Sequence, residues 1–375
     1  MHRAATIGLA RAAVAKHPER PELRLLLAQA LAASGEAAEA LEALESACRL
    51  FPADESLREE LARTLARTGD LDSALAALGD GRRHSPLLAR IALQLLRRHG
   101  RGDEAVQLEP VVAAAFPADF DLLESRACRL HDDPAELLRV ANSVLAHDRA
   151  AAHGLYYKAI ALAQLGRGGE AVDLMALDRF VVRSRLPAVD GFADDALFRA
   201  AIADEIRSNP SLHPDTVGYA TRHGLRTGIF PAPGDRAAVA LVRLLRREVE
   251  RYAEALSGDH PFVAARPDRA RFTPWALLLR GEGHQELHYH PGRWVTGVVY
   301  LAAPGDGAGG GALRIGLLPD WAGVDPPWPV IDVEPRPGTL LLFPSYVPHA
   351  TLPTGQEAER ISVAFDVADS GDTKG

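Results

Sequence analysis

Three histidines, an arginine and a serine near the C-terminus have the types and spacing of a metal centre beside an anion site. His288 and His290 lie two positions apart ahead of an apolar run, so on a strand their side chains point to one face. His349 follows a second apolar run and could supply a third imidazole if the two strands are neighbours. Imidazole binds iron, zinc, copper and nickel, so the ligand type alone does not choose the metal.

The arginine and the serine indicate what else this site would hold. Arg360 begins the next apolar run after His349, and a buried arginine needs an anion because an unpaired buried charge is costly. Its planar guanidinium matches a carboxylate through two parallel hydrogen bonds. Ser362 is two residues further on, so its hydroxyl faces the same way. Such a pair is what a dicarboxylate co-substrate would require.

The elements that must position these residues are short strands. From Thr273 onward, apolar runs are separated by glycine and proline, which predicts a β-sandwich or jelly roll. Six strands are predicted, over residues 275–279, 295–301, 312–317, 330–333, 339–343 and 361–367. Upstream, the sequence predicts one helix that ends before Pro210 and a long amphipathic helix over 236–256. We expect these helices to support the sheet.

The first half of the chain is an internal repeat. Residues 23–52 and 57–86 align without gaps, so that Gly35 corresponds to Gly69 at an offset of 34 residues. Looser copies follow around Gly100 and Gly166, and in each copy an alanine stands five positions after the glycine. The glycine would end one helix, small alanines would let the next helix pack closely, and a proline would end that helix. Because one helix pair cannot bury its own apolar face, the units must stack.

This period and the placement of glycine, alanine and proline resemble the tetratricopeptide repeat over about residues 1–178. The resemblance implies an α-solenoid whose concave face binds a peptide or a partner protein. A rigid spacer and a dimerisation surface are the alternatives.

The C-terminal part resembles the Fe(II)/2-oxoglutarate-dependent oxygenases, in the group where that domain follows tetratricopeptide repeats. The resemblance implies a double-stranded β-helix, or jelly roll, in which His288 and His349 bind iron. It also implies that Arg360, helped by Ser362 and Tyr300, binds the far carboxylate of 2-oxoglutarate. The motifs that carry it are His288-x-His290-Pro291, Thr296-Gly297-Val298-Val299-Tyr300, Leu341-Leu342-Phe343-Pro344-Ser345, His349 and Arg360-x-Ser362-x-x-Phe365.

The chain departs from the wider superfamily at one ligand, because His290 stands where those proteins usually have an aspartate. Two interpretations stay open. His290 binds the metal as a neutral imidazole, or it lies beside the site while water or another carboxylate completes the coordination. We assign His288, His290 and His349 as the metal ligands and no further catalytic residue.

The predicted organisation is a repeat domain over 1–178, a linker over 179–193, an oxygenase-like β-helix domain over 194–368 and a disordered tail over 369–375. The predicted enzyme is an Fe(II)- and 2-oxoglutarate-dependent dioxygenase that also uses O₂, with ascorbate as a candidate reductant. It would hydroxylate a peptide or protein side chain that the repeats present. Two rivals stay open: a cupin-type metalloenzyme without 2-oxoglutarate, and a non-catalytic repeat scaffold or sensor.

Composition narrows the possible binding partners and cellular locations of the protein. A net charge of -8 over 375 residues gives no sign of the basic surface by which proteins bind nucleic acid. No run approaches the roughly 20 apolar residues of a membrane span, and the N-terminus lacks the apolar core of a signal peptide. The two cysteines, far apart in sequence, indicate no disulfide framework. We therefore expect a cytoplasmic protein that binds neither nucleic acid nor membrane.

Overall fold

The computed structural model describes residues 2–33, 36–67, 69–189, 192–214, 220–303, 310–355 and 359–370. The chain folds as two compact units, Met1–Arg126 and Ala127–Gly375. Within the described ranges, no helix is long and apolar enough to cross a membrane.

The first unit consists of helices where it is described. Their apolar stripes face inward and form buried clusters, one of which is built around Leu88, Ile91 and Leu96. The helices are α1 (His2–Lys16), α2 (Pro21–Ala33), α3 (Ala37–Leu50), α4 (Glu55–Arg67), α5 (Leu71–Leu78), α6 (Pro86–Arg98), α7 (Gly102–Ala105), α8 (Glu109–Ala115) and α9 (Phe120–Ala127), the last of which reaches the unit boundary. This confirms the helical array that the repeats predict.

Glycine and alanine take the positions that the repeat requires. Gly69, Gly100 and Gly166 have φ angles of 90°, 74° and 70° at the turns between helices, a region that only glycine adopts at little cost. Gly35 lies outside the described residues. The alanines that follow these glycines by five positions are fully buried: Ala40, Ala74, Ala105 and Ala171.

The expectation that a proline ends the second helix of each unit is wrong at Pro86. Helix α5 already ends at Leu78, where Gly79 has a φ of 59° and allows the chain to turn. Pro86 instead opens α6, and the Ser85 hydroxyl accepts the backbone N–H of Leu88 at 3.3 Å. Proline fits this first position because the helix leaves that N–H unbonded in any case.

The second unit begins with helices and continues into a sheet. Its helices are α10 (Pro134–His147), α11 (Ala152–Gln164), α12 (Gly168–Met175), α13 (Leu177–Phe180), α14 (Asp195–Arg207), α15 (Ala237–Ala255) and α16 (Pro261–Ala264). Helices α14 and α15 confirm the two predicted supporting helices. The Asp194 carboxylate caps α14 by accepting the N–H of Leu197 at 2.7 Å.

One ten-stranded sheet, antiparallel at each pairing, carries the site. Its main path runs β1-β8-β5-β10-β4-β9-β6-β7, while β3 pairs with β4 and with β2. The strands are β1 (Val182–Arg185), β2 (Leu212–Pro214), β3 (Thr221–Thr227), β4 (Ala270–His288), β5 (Val295–Ala302), β6 (Leu313–Ile315), β7 (Ile331–Val333), β8 (Thr339–Pro344), β9 (His349–Thr351) and β10 (Arg360–Asp369). All six predicted strands are present, and the curled antiparallel sheet confirms the predicted fold class.

The compact units do not divide the chain where the predicted domains do. Helices α10–α13, which we predicted to belong to the repeat domain, lie in the second unit. The predicted linker contains β1, which pairs with β8 from Val182↔Leu342 to Arg185↔Thr339. Of the predicted tail, Asp369 ends β10, while residues 371–375 lie outside the described part. The domain boundaries themselves stay a prediction.

Candidate metal centre and anion site

Strand pairing brings the three predicted histidines together. Strand β4 ends at His288 and β9 begins at His349, and these two residues are paired across the strands. Their ring centroids are 4.3 Å apart, and the ring of His290 lies 5.1 Å from His288 and 5.2 Å from His349. One ring nitrogen of each histidine lies within 4.8 Å of the others, a cluster that could hold a metal ion.

Each imidazole is held by a bond on its Nδ1 side. Nδ1 of His288 lies 2.7 Å from the carbonyl of Glu286, and Nδ1 of His349 lies 3.0 Å from that of Val347. Nδ1 of His290 lies 2.6 Å from the carboxylate of Asp366. Because carbonyl and carboxylate oxygens only accept, Nδ1 carries the proton in all three rings. This leaves Nε2 of each ring as the nitrogen with a free lone pair.

The surroundings keep two of these rings uncharged. Burial, followed by the charge of neighbouring His290, lowers the pKa of His288 to about 3. Burial, followed by the charges of His288 and His290, lowers the pKa of His349 well below its usual value. Both are therefore neutral at pH 7, which is the form that binds metal.

Arg360 is a buried cation for which the described residues supply no counter-charge. It is only 2% exposed, and its Nε and Nη1 have no hydrogen-bond partner among the described residues. Its Nη2 donates to the Tyr300 hydroxyl at 3.4 Å, and the guanidinium lies 5.0 Å from the centre of that ring. A neutral hydroxyl and a ring face do not balance a buried charge, so the arrangement calls for an anion.

Ser362 and Tyr300, the other two residues predicted for the anion site, lie on neighbouring strands. The two residues are paired between β10 and β5, and both are almost fully buried. The Ser362 hydroxyl also lacks a partner within the described part of the chain. Arg360 and Ser362 are two residues apart on β10, so they face the same interior. Among the described residues, Arg360 and Ser362 therefore leave donors unused on the same face of β10.

One cavity connects the imidazoles to the arginine. His288, His290, His349 and Arg360 all line it, together with apolar and aromatic side chains. It has about 20 Å³ of room for solvent, roughly the space of one water molecule. A dicarboxylate can therefore enter only if the lining side chains move apart.

The residues fit an Fe(II) ion with 2-oxoglutarate. Three imidazoles that are each bonded at Nδ1 and could each offer Nε2 to an ion are a donor set that suits iron. The unpaired guanidinium of Arg360 and the hydroxyl of Ser362 are unsatisfied donors that a carboxylate would satisfy. The fit rests on these buried donor atoms, which have no hydrogen-bond partner among the described residues.

Asp366 is a site residue that the sequence analysis missed. Its Oδ1 accepts from the Thr296 hydroxyl at 2.9 Å as well as from His290, and it is 8% exposed. The signal was available, because Arg360, Ser362 and Asp366 are separated by even numbers of residues on one strand.

Trp275 also lines the cavity. Its ring stacks on His290 with centroids 5.9 Å apart, and its buried indole N–H has no partner among the residues described.

The helices that open the second unit contact both segments that carry the clustered histidines. Tyr156 of α11 stacks on Tyr289, between the two nearby histidines, with centroids 4.0 Å apart. The hydroxyl of Tyr346, three residues before His349, donates to the carbonyl of Leu174 in α12 at 2.9 Å. These helices are therefore part of the frame of the site.

Comparison with known proteins finds one family match in each part of the chain. A family model described as "Putative 2OG-Fe(II) oxygenase" matches residues 273–366, which include the three histidines, Arg360 and Asp366. A tetratricopeptide repeat model matches residues 21–64. A search of curated proteins gives no match.

Several solved structures are similar at low identity. A prolyl-4-hydroxylase from Pseudomonas putida is 23% identical, with 52% of this chain and 96% of that chain covered and a TM-score of 0.38. A prolyl hydroxylase from Trichoplax adhaerens, solved with a hypoxia inducible factor peptide fragment, is 16% identical over 56% and 94% of the two chains, with a TM-score of 0.40. The repeat protein YrrB, which has an unusual peptide-binding site, is 15% identical over 45% and 91%, with a TM-score of 0.35. The family models thus find a tetratricopeptide repeat in the N-terminal part and a domain described as "Putative 2OG-Fe(II) oxygenase" in the C-terminal part.

Proposed function

We propose that this protein is an Fe(II)- and 2-oxoglutarate-dependent dioxygenase that hydroxylates a peptide or protein side chain. The observation that carries the proposal is the buried guanidinium of Arg360, two of whose nitrogens have no partner among the described residues, in the same cavity as the three imidazoles. A cupin-type metalloenzyme would need the imidazoles alone. The arginine instead matches a co-substrate with a carboxylate at its far end.

Each residue has a defined role in this proposal. Fe(II), held by the imidazoles of His288, His290 and His349, would couple the oxidative decarboxylation of 2-oxoglutarate by O₂ to the hydroxylation of a C–H bond. Arg360 would bind the far carboxylate with two hydrogen bonds, and Ser362 would donate a third. Tyr300 would keep the guanidinium in place. The apolar cavity wall would exclude water from the reacting atoms.

The substrate side of the proposal rests on the helices beside the site. Because α11 and α12 contact the segments that carry the histidines, a peptide held along these helices would lie near the metal. Tetratricopeptide helices bind extended peptides in many proteins, so a peptide or protein side chain is the substrate class we infer.

The test is turnover on a peptide library with purified full-length protein. We expect one or more peptides to gain a single oxygen, with one succinate released per oxygen, only when Fe(II), 2-oxoglutarate and O₂ are all present. His349→Ala should abolish both products. Turnover that depends on metal and leaves 2-oxoglutarate unconsumed would overturn the proposal in favour of the cupin-type enzyme.

A further inference from the structure

The most unusual feature of the site is a carboxylate that lies behind one imidazole instead of beside the metal position. Asp366 Oδ1 is 2.6 Å from Nδ1 of His290, and its side chain is 11% exposed. Its other carboxylate oxygen, Oδ2, lies 3.8 Å from Nε of Arg293. Over the described residues, the cluster of possible ligands contains the three histidines and no carboxylate.

This arrangement has a consequence for charge. A centre held by three neutral imidazoles receives no negative charge from its ligands, so a divalent ion would keep its full charge there. A carboxylate bonded to the far nitrogen of a ligating imidazole makes that imidazole more basic and fixes its proton on the bonded nitrogen. Asp366 is placed to do this for His290 alone, because the other two rings donate to backbone carbonyls.

We propose that Asp366 is a positioning residue that makes His290 the third metal ligand. It holds the proton on Nδ1, directs Nε2 towards the metal position and places a negative charge one ring away from the ion. The aspartate that the wider superfamily uses as a ligand is thus represented here by an imidazole with a carboxylate behind it. The inference rests on the proposed function only in taking the three histidines as a metal site.

Two further contacts fix the same ring. Trp275 stacks on His290 with an angle of 23° between the ring planes, so the imidazole is held at its face as well as at Nδ1. Thr296 donates to Asp366 and contacts the Ser345 hydroxyl at 3.0 Å, which fixes the carboxylate in turn. His290 is therefore held in one orientation from two sides.

The experiment measures the dissociation constant of Co(II), by competition with a chromogenic chelator, in full-length protein without 2-oxoglutarate. Asp366→Asn keeps an acceptor for Thr296 and removes the charge, and we expect it to weaken binding about 10–100-fold and to change the visible spectrum of bound Co(II). Asp332→Asn is the matched control, because Asp332 pairs with Arg314 and is 62% exposed. Thr296→Val should weaken binding less than Asp366→Asn, since it leaves the bond to His290.

The same substitution in a protein that already carries His290→Asp separates the positioning of His290 from a general effect on the fold. In His290→Asp a carboxylate replaces the imidazole, so Asp366 has no Nδ1–H to accept and repels the new ligand instead. Asp366→Asn should then leave Co(II) binding unchanged or make it tighter. Equal weakening in both backgrounds, or no weakening in the wild type, would overturn the role of Asp366. If the wild type and His349→Ala bound Co(II) equally, the metal site of the proposed function would itself fail.

Discussion

At the scale of single residues, the site is built from side chains that are bonded on one side and unsatisfied on the other. The histidines use Nδ1 and leave Nε2, and Arg360 uses Nη2 and leaves Nε and Nη1. Atoms left unsatisfied in a buried site cost stability, so their presence indicates that a ligand satisfies them. For the same reason, these site residues should lower the stability of the protein when no ligand is bound.

Replacing Arg360 by methionine should therefore stabilise the protein when no metal or 2-oxoglutarate is present. Replacing a buried ion pair by hydrophobic residues of similar volume stabilises other proteins by about 1–4 kcal/mol, and a buried charge without a counter-ion should be at least as unfavourable. We expect the free energy of unfolding in urea to rise by at least about 1 kcal/mol. The half-exposed Arg314, replaced in the same way, is the control. A loss of stability in Arg360→Met would show that the guanidinium is satisfied in the free protein.

Ser362→Ala should have opposite effects on stability and on binding. The lost hydroxyl is buried and has no partner among the residues that the structure describes, so the ligand-free protein should gain up to about 1 kcal/mol. Loss of one donor to a carboxylate should weaken 2-oxoglutarate binding roughly 10-fold, measured by calorimetry with Mn(II) in place of Fe(II). Ser370→Ala, at an exposed position, should change neither quantity. Unchanged binding in Ser362→Ala would remove this residue from the anion site.

Site residues that lie two positions apart on one strand could be predicted from the sequence. His288 with His290, and Arg360 with Ser362, follow from two-residue spacing and from the chemistry of imidazole and guanidinium. Asp366 obeys the same rule and was missed because carboxylates are common at strand ends. Its function depends on contact with His290, which lies 76 positions away and is brought close only by strand pairing.

At the scale of elements, the contacts between helix α12 and the sheet converge on one atom. The carbonyl of Leu174 accepts from the Tyr346 hydroxyl at 2.9 Å and faces Nε2 of His260 at 3.1 Å. His260 Nδ1 accepts the N–H of Phe262, so Nε2 carries the proton and donates. The turn before His349 and the start of α16 are thereby joined to the same helix.

The two donors to Leu174 should be coupled. Tyr346→Phe alone should lower the free energy of unfolding by about 0.5–1.5 kcal/mol, because His260 still satisfies the carbonyl. Adding His260→Asn leaves that carbonyl buried without either donor, so the double variant should lose more than the sum of the single losses. A coupling of at least about 0.5 kcal/mol is expected from urea unfolding of all four proteins. Strict additivity would mean that the two bonds are independent.

His260 should also give stability a defined pH dependence. Burial lowers its pKa below the usual value, although the hydrogen bond to Leu174 acts in the opposite direction. The unfolded chain binds a proton at this residue near pH 6.5, and the folded chain binds it only at lower pH. The free energy of unfolding therefore falls as the pH drops below about 6.5. Relative to His260→Asn in metal-free buffer, the wild type should lose stability over this range, and parallel pH profiles would contradict the assignment.

Elements with their own sequence pattern were predictable, and elements defined by pairing were not. Helices α14 and α15 and six strands follow from periodicity and from glycine and proline signals. Strand β9 contains three residues, and only its pairing with β4 and β6 identifies it as a strand. All four residues of strand β1 are exposed, and only the pairing with β8 identifies the segment as a strand. Its sequence alone therefore indicated a linker.

At the scale of the whole molecule, the second compact unit should be the minimal protein that binds metal. A fragment of residues 127–375 retains α11 and α12 and should bind Co(II) within about 3-fold of the full chain, since these contacts are short-range. A fragment of residues 194–375 loses the stacking of Tyr156 on Tyr289 and the bonds to Leu174. It should bind Co(II) at least about 10-fold more weakly and unfold at lower temperature. Equal binding by both fragments would show that the helices are not part of the site.

The central claim is that one cavity, lined by the three histidines and Arg360, holds Fe(II) and 2-oxoglutarate together. Its most direct test is an anaerobic titration followed by visible charge-transfer absorption, on the wild type, His349→Ala, His290→Ala, Arg360→Ala and Arg314→Ala. We predict a band that requires both Fe(II) and 2-oxoglutarate, disappears in His349→Ala and is unaffected in Arg314→Ala. Arg360→Ala should need at least about 30-fold more 2-oxoglutarate, which corresponds to the loss of about 2 kcal/mol for a buried charge pair. The absence of a band in every protein, with tight binding of zinc or manganese instead, would contradict the account.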